Sequence, residues 1–197
     1  MRRLQRNPEL APKIAILISG GGSNMVALIK DMQDRGYAEP SLVISNKALV
    51  PGVIKAQQLG VPTEVIPHQA FPKGDGFQEE IHVALVEQRI NFICLAGFMQ
   101  ILDAWFVDKW KDRILNIHPS LLPKYKGLNT HQRAIDAGDT EAGCSVHLVT
   151  AELDDGPILA QAKVPILKED TARTLAARVL SEEHKLFPRT LRQYLDG

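Results

Sequence analysis

Seven short β-branched or apolar runs punctuate this sequence, at Lys13–Ser19, Leu42–Ser45, Glu64–Ile66, Phe92–Ala96, Ile114–His118, Cys144–Val149 and Ile158–Val164. Most of the intervals between them carry helical periodicity. Alternating strand and helix signals leave few packing solutions, chiefly a parallel sheet whose faces are covered by the intervening helices. The expected fold is therefore α/β and Rossmann-like: one domain, with a mostly parallel twisted sheet of about seven strands and helices on both faces.

The helix signals are specific enough to name residues. Met25, Leu28, Ile29 and Met32 form a stripe that stops at Gly36, and Phe77, Ile81, Ala84 and Leu85 form another before Asn91. A third helix opens at Pro51, a favourable first-turn residue, and closes at Gly60. Thr171 is positioned to cap a long final helix in which Leu175, Val179, Glu183 and Phe187 stand four apart on one line. Glu183 interrupts that apolar line, so either the stripe drifts into solvent there or a carboxylate is needed inside.

Charge narrows the function. The 23 basic and 23 acidic residues cancel, which gives no broad positive field for nucleic acid and no basic anchor for a membrane. Small-molecule ligands are favoured. Residues 1–12 read as a loose tail without a signal-peptide core, ahead of a domain over 13–197, and no run approaches the ~20 apolar residues of a membrane span. Cys94 and Cys144 are the only cysteines, a usage that suits the cytoplasm, with Cys94 read as a buried, inert thiol.

Three constellations have chemical content. The first run leads straight into Ser19-Gly20-Gly21-Gly22-Ser23-Asn24 and then a helix. Such a turn presents free N–H groups and the positive helix end, and Gly22, Ser23 and Asn24 are the candidate phosphate contacts. The alternative is a plain tight turn with Ser23 as helix cap. A dinucleotide fingerprint is excluded by Met25 and by Ser45-Asn46-Lys47 where an acid is required. No Gly-Lys-Ser/Thr completes a P-loop. Next, Asn116-Ile117-His118-Pro119 places an amide and an imidazole on one face of a strand end, a costly pair to bury without partners. Finally, Glu152-Leu153-Asp154-Asp155-Gly156-Pro157 is a turn by composition, so Asp154 is either a turn residue or a carboxylate that keeps His118 protonated. No metal-ligand spacing is present, and His68, His82, His131 and His147 read as surface or packing residues.

The stretch Leu115-Asn116-Ile117-His118-Pro119-Ser120-Leu121-Leu122-Pro123-Lys124-Tyr125-x-Gly127, with Leu153-Asp154-x-Gly156-Pro157, resembles the signature of the folate-dependent formyltransferases. Ile18-Ser19-Gly20-x-Gly22-Ser23-Asn24, Ser45-Asn46-Lys47 and Leu95-Ala96-Gly97-Phe98-Met99 are similar to the branch of that family acting on glycinamide ribonucleotide. The similarity runs over about residues 13–187. It implies a formyl transfer from the co-substrate 10-formyltetrahydrofolate to the amine of phosphoribosylglycinamide in purine biosynthesis, without a metal. It also implies Asn116, His118 and Asp154 as the catalytic trio, and Gly22, Ser23, Asn24 and Glu183 as acceptor contacts. Met99, Gln100, Ile101 and Leu102, with Asn116, match the folate segment. Gln100 replaces a common Arg, and Lys73 is the nearest basic residue to Gly74, so the folate's glutamate tail is expected to be held differently. Lys126 and Asn129 also depart from the family pattern beside Gly127. A homodimer is left open.

Three rivals stay in view. A 10-formyltetrahydrofolate deformylase would use the same trio without the phosphate turn. A transfer-RNA formyltransferase fits poorly with the neutral charge. A non-catalytic phosphosugar-binding module would share the fold alone.

Overall fold

The computed structural model describes residues 11–71 and 76–197. Most of the expected tail, and Lys73 and Gly74, lie outside the described residues. The strands are β1 (Lys13–Ile18), β2 (Glu39–Ser45), β3 (Thr63–Val65), β4 (Phe92–Leu95), β5 (Ile114–His118), β6 (Glu141–Leu148) and β7 (Ile158–Pro165). They form a seven-stranded sheet in the order β3-β2-β1-β4-β5-β6-β7. β1 is parallel to β2 and β4, and β2 to β3, whereas β5/β6 and β6/β7 are antiparallel. The helices are α1 (Ser23–Arg35), α2 (Pro51–Gln58), α3 (Phe77–Glu87), α4 (Ala104–Lys109), α5 (Thr130–Asp136) and α6 (Ala172–Asp196). The expected mostly parallel α/β architecture is thus present. Among the described residues no helix is long and apolar enough to cross a membrane. Packing divides the chain into two units, one ending at Met99 and the other Gln100–Gly197.

In the first unit, Ile14 to Ile18 are fully buried, as a continuous apolar run must be when helices cover both faces of a parallel strand. The α1 stripe is the one read from the sequence: Met25, Leu28, Ile29 and Met32 are all 0% exposed. Gly36 ends the helix in a left-handed conformation, its N–H donating to the Met32 carbonyl at 2.8 Å. β2 begins at Glu39, earlier than the apolar run suggests, because the Pro12 carbonyl accepts the Glu39 N–H at 2.9 Å and extends the pairing.

In the second unit, β5, β6 and β7 carry α6 on their faces. Thr171 caps α6 as expected, and a capping box with Thr174 satisfies both backbone N–H groups. Leu175, Val179 and Phe187 are fully buried, and Glu183 on the same line is 6% exposed. The stripe therefore does not drift into solvent. α4 and α5 were not anticipated, being too short to show a periodic stripe.

Candidate active site

The turn that closes β1 is built from backbone. The residue before α1 is Gly22, with φ 68°, so Ser23 is the first helical residue and not the cap that the sequence suggested. No side chain caps this end of α1, and the positive end of its dipole faces out of the turn. The first turn of α2 supports it, with the Gly52 N–H donating to the Gly20 carbonyl at 3.1 Å and Lys55 Nζ donating to the Gly21 carbonyl at 2.8 Å. A Cβ at residue 52 would stand 2.5 Å from Ile18 Cδ1 and 2.6 Å from the Gly20 oxygen, so only glycine allows this approach. The Met99 N–H donates to Ser19 Oγ at 2.7 Å, which ties the start of the 99–102 segment to the same turn. Along that segment Met99 and Ile101 are exposed, Gln100 is half-buried and Leu102 is buried.

The second constellation lies within Gln100–Gly197 and is built from side chains. Alternation along β5 sends Asn116 and His118 to one face, and the antiparallel register sets Asn116 opposite His147 on β6. The chain beyond β6 turns back through Asp154, whose φ of 50° is left-handed, a conformation Asp tolerates better than most residues. Asp154 Oδ2 lies 3.3 Å from His118 Nδ1 and accepts the Gly127 N–H at 2.9 Å. Its Oδ1 lies 3.5 Å from Asn116 Nδ2 and 3.6 Å from His147 Nε2. The amide, imidazole and carboxylate singled out in the sequence are therefore brought together.

His147 joins them, contrary to its reading as a surface or packing residue. Its Nδ1 lies 2.8 Å from the Leu148 carbonyl, which assigns a proton to that nitrogen. In the neutral ring Nε2 is then free to accept from Asn116 Nδ2, 3.0 Å away. Among the described residues the second Asn116 N–H has only the long contact to Asp154. The turn itself is moulded onto this pair: a side chain at Gly156 would collide with the Leu148 carbonyl.

Electrostatics revise one expectation. The Asp154 carboxylate does pull the His118 value upward, as does the Tyr125 carbonyl at 2.9 Å from Nε2. Burial is the larger effect, however, and holds the imidazole below its ordinary value. Burial thus favours the neutral form of the ring in the ligand-free protein. Both of its nitrogens face oxygen acceptors, so a neutral ring satisfies one at a time and a second proton finds a partner already waiting. Burial also pushes Asp154 up, but its hydrogen-bond partners, the Gly127 N–H among them, and the adjacent imidazoles outweigh it and keep the carboxyl below its usual value.

Glu183 sits inside, under α6, where its charge acts on Cys144 of β6 and helps burial push that thiol up to about 12. Burial raises Cys94 even further. Neither cysteine is a thiolate near neutral pH. Among the described residues no group of three or more His, Cys, Asp or Glu side chains is arranged to hold a metal ion.

The sheet topology and the strand-end amide, imidazole and turn carboxylate stand beside a match of the formyl transferase family pattern to residues 12–191. This chain belongs to that family. It is similar to the phosphoribosylglycinamide formyltransferase of Escherichia coli (strain K12), 42% identical over 187 residues that cover 93% of this chain and 87% of the relative. The crystal structure of phosphoribosylglycinamide formyltransferase from Brucella melitensis superposes with a TM-score of 0.90 at 50% identity, covering 95% of this chain and 97% of that one. The trifunctional purine biosynthetic protein adenosine-3 of Drosophila pseudoobscura pseudoobscura is 48% identical over 94% of this chain, which spans only 14% of that relative.

Proposed function

We propose that this protein transfers the formyl group of 10-formyltetrahydrofolate to the primary amine of phosphoribosylglycinamide, a step in purine biosynthesis. The observation that carries the reading is the Asp154 carboxylate held between His118 and the Asn116–His147 pair. In this reading Gly22, Ser23 and Asn24 receive the acceptor's phosphate, and Glu183 serves its polar groups. Met99, Gln100, Ile101 and Leu102 line the folate.

The chemistry follows from protonation states. The amine attacks the formyl carbon, and the carbonyl electrons collect on oxygen, where the re-aimed second N–H of Asn116 stabilises them. His118, neutral at rest, exchanges the Tyr125 carbonyl for the reacting centre and accepts the proton that the new ammonium must lose. The imidazolium so formed lies beside ionised Asp154. It then delivers that proton to the departing folate nitrogen as the carbon–nitrogen bond breaks, leaving a formamide and reduced folate. No covalent link to the protein forms.

The test is direct. Purified protein with phosphoribosylglycinamide and formylated folate should give the absorbance change of deformylation and a product heavier by one formyl group in place of hydrogen. Formate in place of that product would make it a deformylase. Thermal stabilisation by the phosphorylated acceptor with no turnover would make it a binding module. Substitution of Ser23 or Asn24 by alanine should weaken the acceptor and spare the folate; equal losses for both would contradict the phosphate assignment.

A further inference from the structure

The loop between β5 and α5 holds both residues of the catalytic pair through its backbone: the Tyr125 carbonyl meets His118 and the Gly127 N–H meets Asp154. It does so in an unfavourable shape. Tyr125 and Asn129 have φ of 57° and Gly127 of 77°, so two non-glycine residues occupy the left-handed region, which costs energy and persists only under external restraint.

Arg133 on α5 supplies that restraint at one particular bond. Its Nη1 donates to the Lys126 carbonyl at 2.7 Å and to the Leu128 carbonyl at 3.3 Å, and its guanidinium lies 5.2 Å from the centre of the Tyr125 ring. The Lys126 carbonyl and the Gly127 N–H belong to one planar peptide unit and point in opposite directions. Gripping the oxygen from one side therefore aims the hydrogen at Asp154 on the other. We propose that Arg133 is a positioning residue that fixes the 126–127 peptide and, through the Gly127 N–H, the orientation of Asp154.

This inference rests on Asp154 serving the transfer reaction, and the experiment separates the two. Arg133→Met keeps an unbranched side chain but loses the guanidinium, and with it both the donors and the cation beside the Tyr125 ring. Its kcat should fall about tenfold, as small misplacements of reacting groups do, while both KM values stay within about twofold and the melting temperature is unchanged. Arg133→Lys, which restores a cationic donor, should recover to within about threefold of wild type. In an Asp154→Asn background the Arg133→Met change should cost less than about twofold, because a shared pathway is non-additive. Amide exchange of the 125–128 peptide, which needs no turnover, should accelerate in Arg133→Met. A kcat within twofold of wild type, an undiminished loss in the Asp154→Asn background, or unchanged exchange overturns the role of Arg133 while leaving the transfer reading intact. Full turnover by Asp154→Asn alone overturns the transfer reading, and the proposal falls with it.

Discussion

The turn after β1 and the turn after β6 are both tight and both close a strand, yet they are made from opposite materials. Around Gly20 and Gly22 the functional surface is backbone, and what matters is that side chains are missing, at Gly52 above all. Around Asp154 it is a side chain in left-handed backbone, held by hydrogen bonds from Gly127 and Asn116 and by its approach to His118. A backbone site is set by space and tolerates change in its exposed neighbours. A side-chain site is set by orientation and fails when one partner is removed. The comparison can be broken or sharpened by substitution.

The largest effect is expected at His118. His118→Asn should lower kcat on the order of 1,000-fold, the upper range for a positioned proton-transfer group, with acceptor affinity retained; a loss confined to KM would remove the ring from the chemistry. Next is Asp154→Asn, with turnover down roughly 100-fold. Here the pH profile carries more information than the rate. The Asp154 charge raises the His118 value, so its removal lets burial push the ring lower still. The acid limb of kcat/KM should therefore move to lower pH, and movement to higher pH would contradict the assigned coupling.

The backbone turn should respond differently. Gly52→Val forces two backbone segments apart and should cost about 1–3 kcal/mol of stability in denaturant unfolding, as overpacking does, with the acceptor KM rising and the folate KM steady. Stability equal to wild type would mean that the turn is not space-limited. The smallest effect is expected at Lys55, whose exposed ammonium reaches the Gly21 carbonyl. Lys55→Met should change stability by less than about 0.5 kcal/mol, like other surface substitutions. A larger change would show that a side chain, after all, holds the turn.

This division also explains what could be read in advance. Period and turn chemistry are local, so the seven strands, the α1 stripe and the Thr171 cap stood in the sequence. The Asn116–His118 pair was legible for the same reason, since alternation along one strand is a local rule. His147 was not, because its place opposite Asn116 depends on the register between β5 and β6, which are joined through a loop and a helix. The Tyr125 carbonyl and the Gly127 N–H meet the pair through peptide groups, and Arg133 grips the Lys126 carbonyl, contacts that no residue type announces. The alternative of a Ser23 cap is not realised, because glycine takes the left-handed position there at no steric cost. The effect of Asp154 on His118 has the expected sign, but the net shift depends on how deeply the ring is buried, a property of the whole fold.

Gly156 gives the carbonyl of Leu148 its room, and that carbonyl in turn fixes which nitrogen of His147 carries hydrogen. A methyl group added at residue 156 would thus act at a distance: by displacing one oxygen it would free the ring to switch tautomer and turn a donor toward Asn116, leaving two donors face to face. The least reactive residue of the turn thereby governs the polarity of the contact beneath it, and efforts to reshape this loop for other acceptors must begin by leaving that position empty.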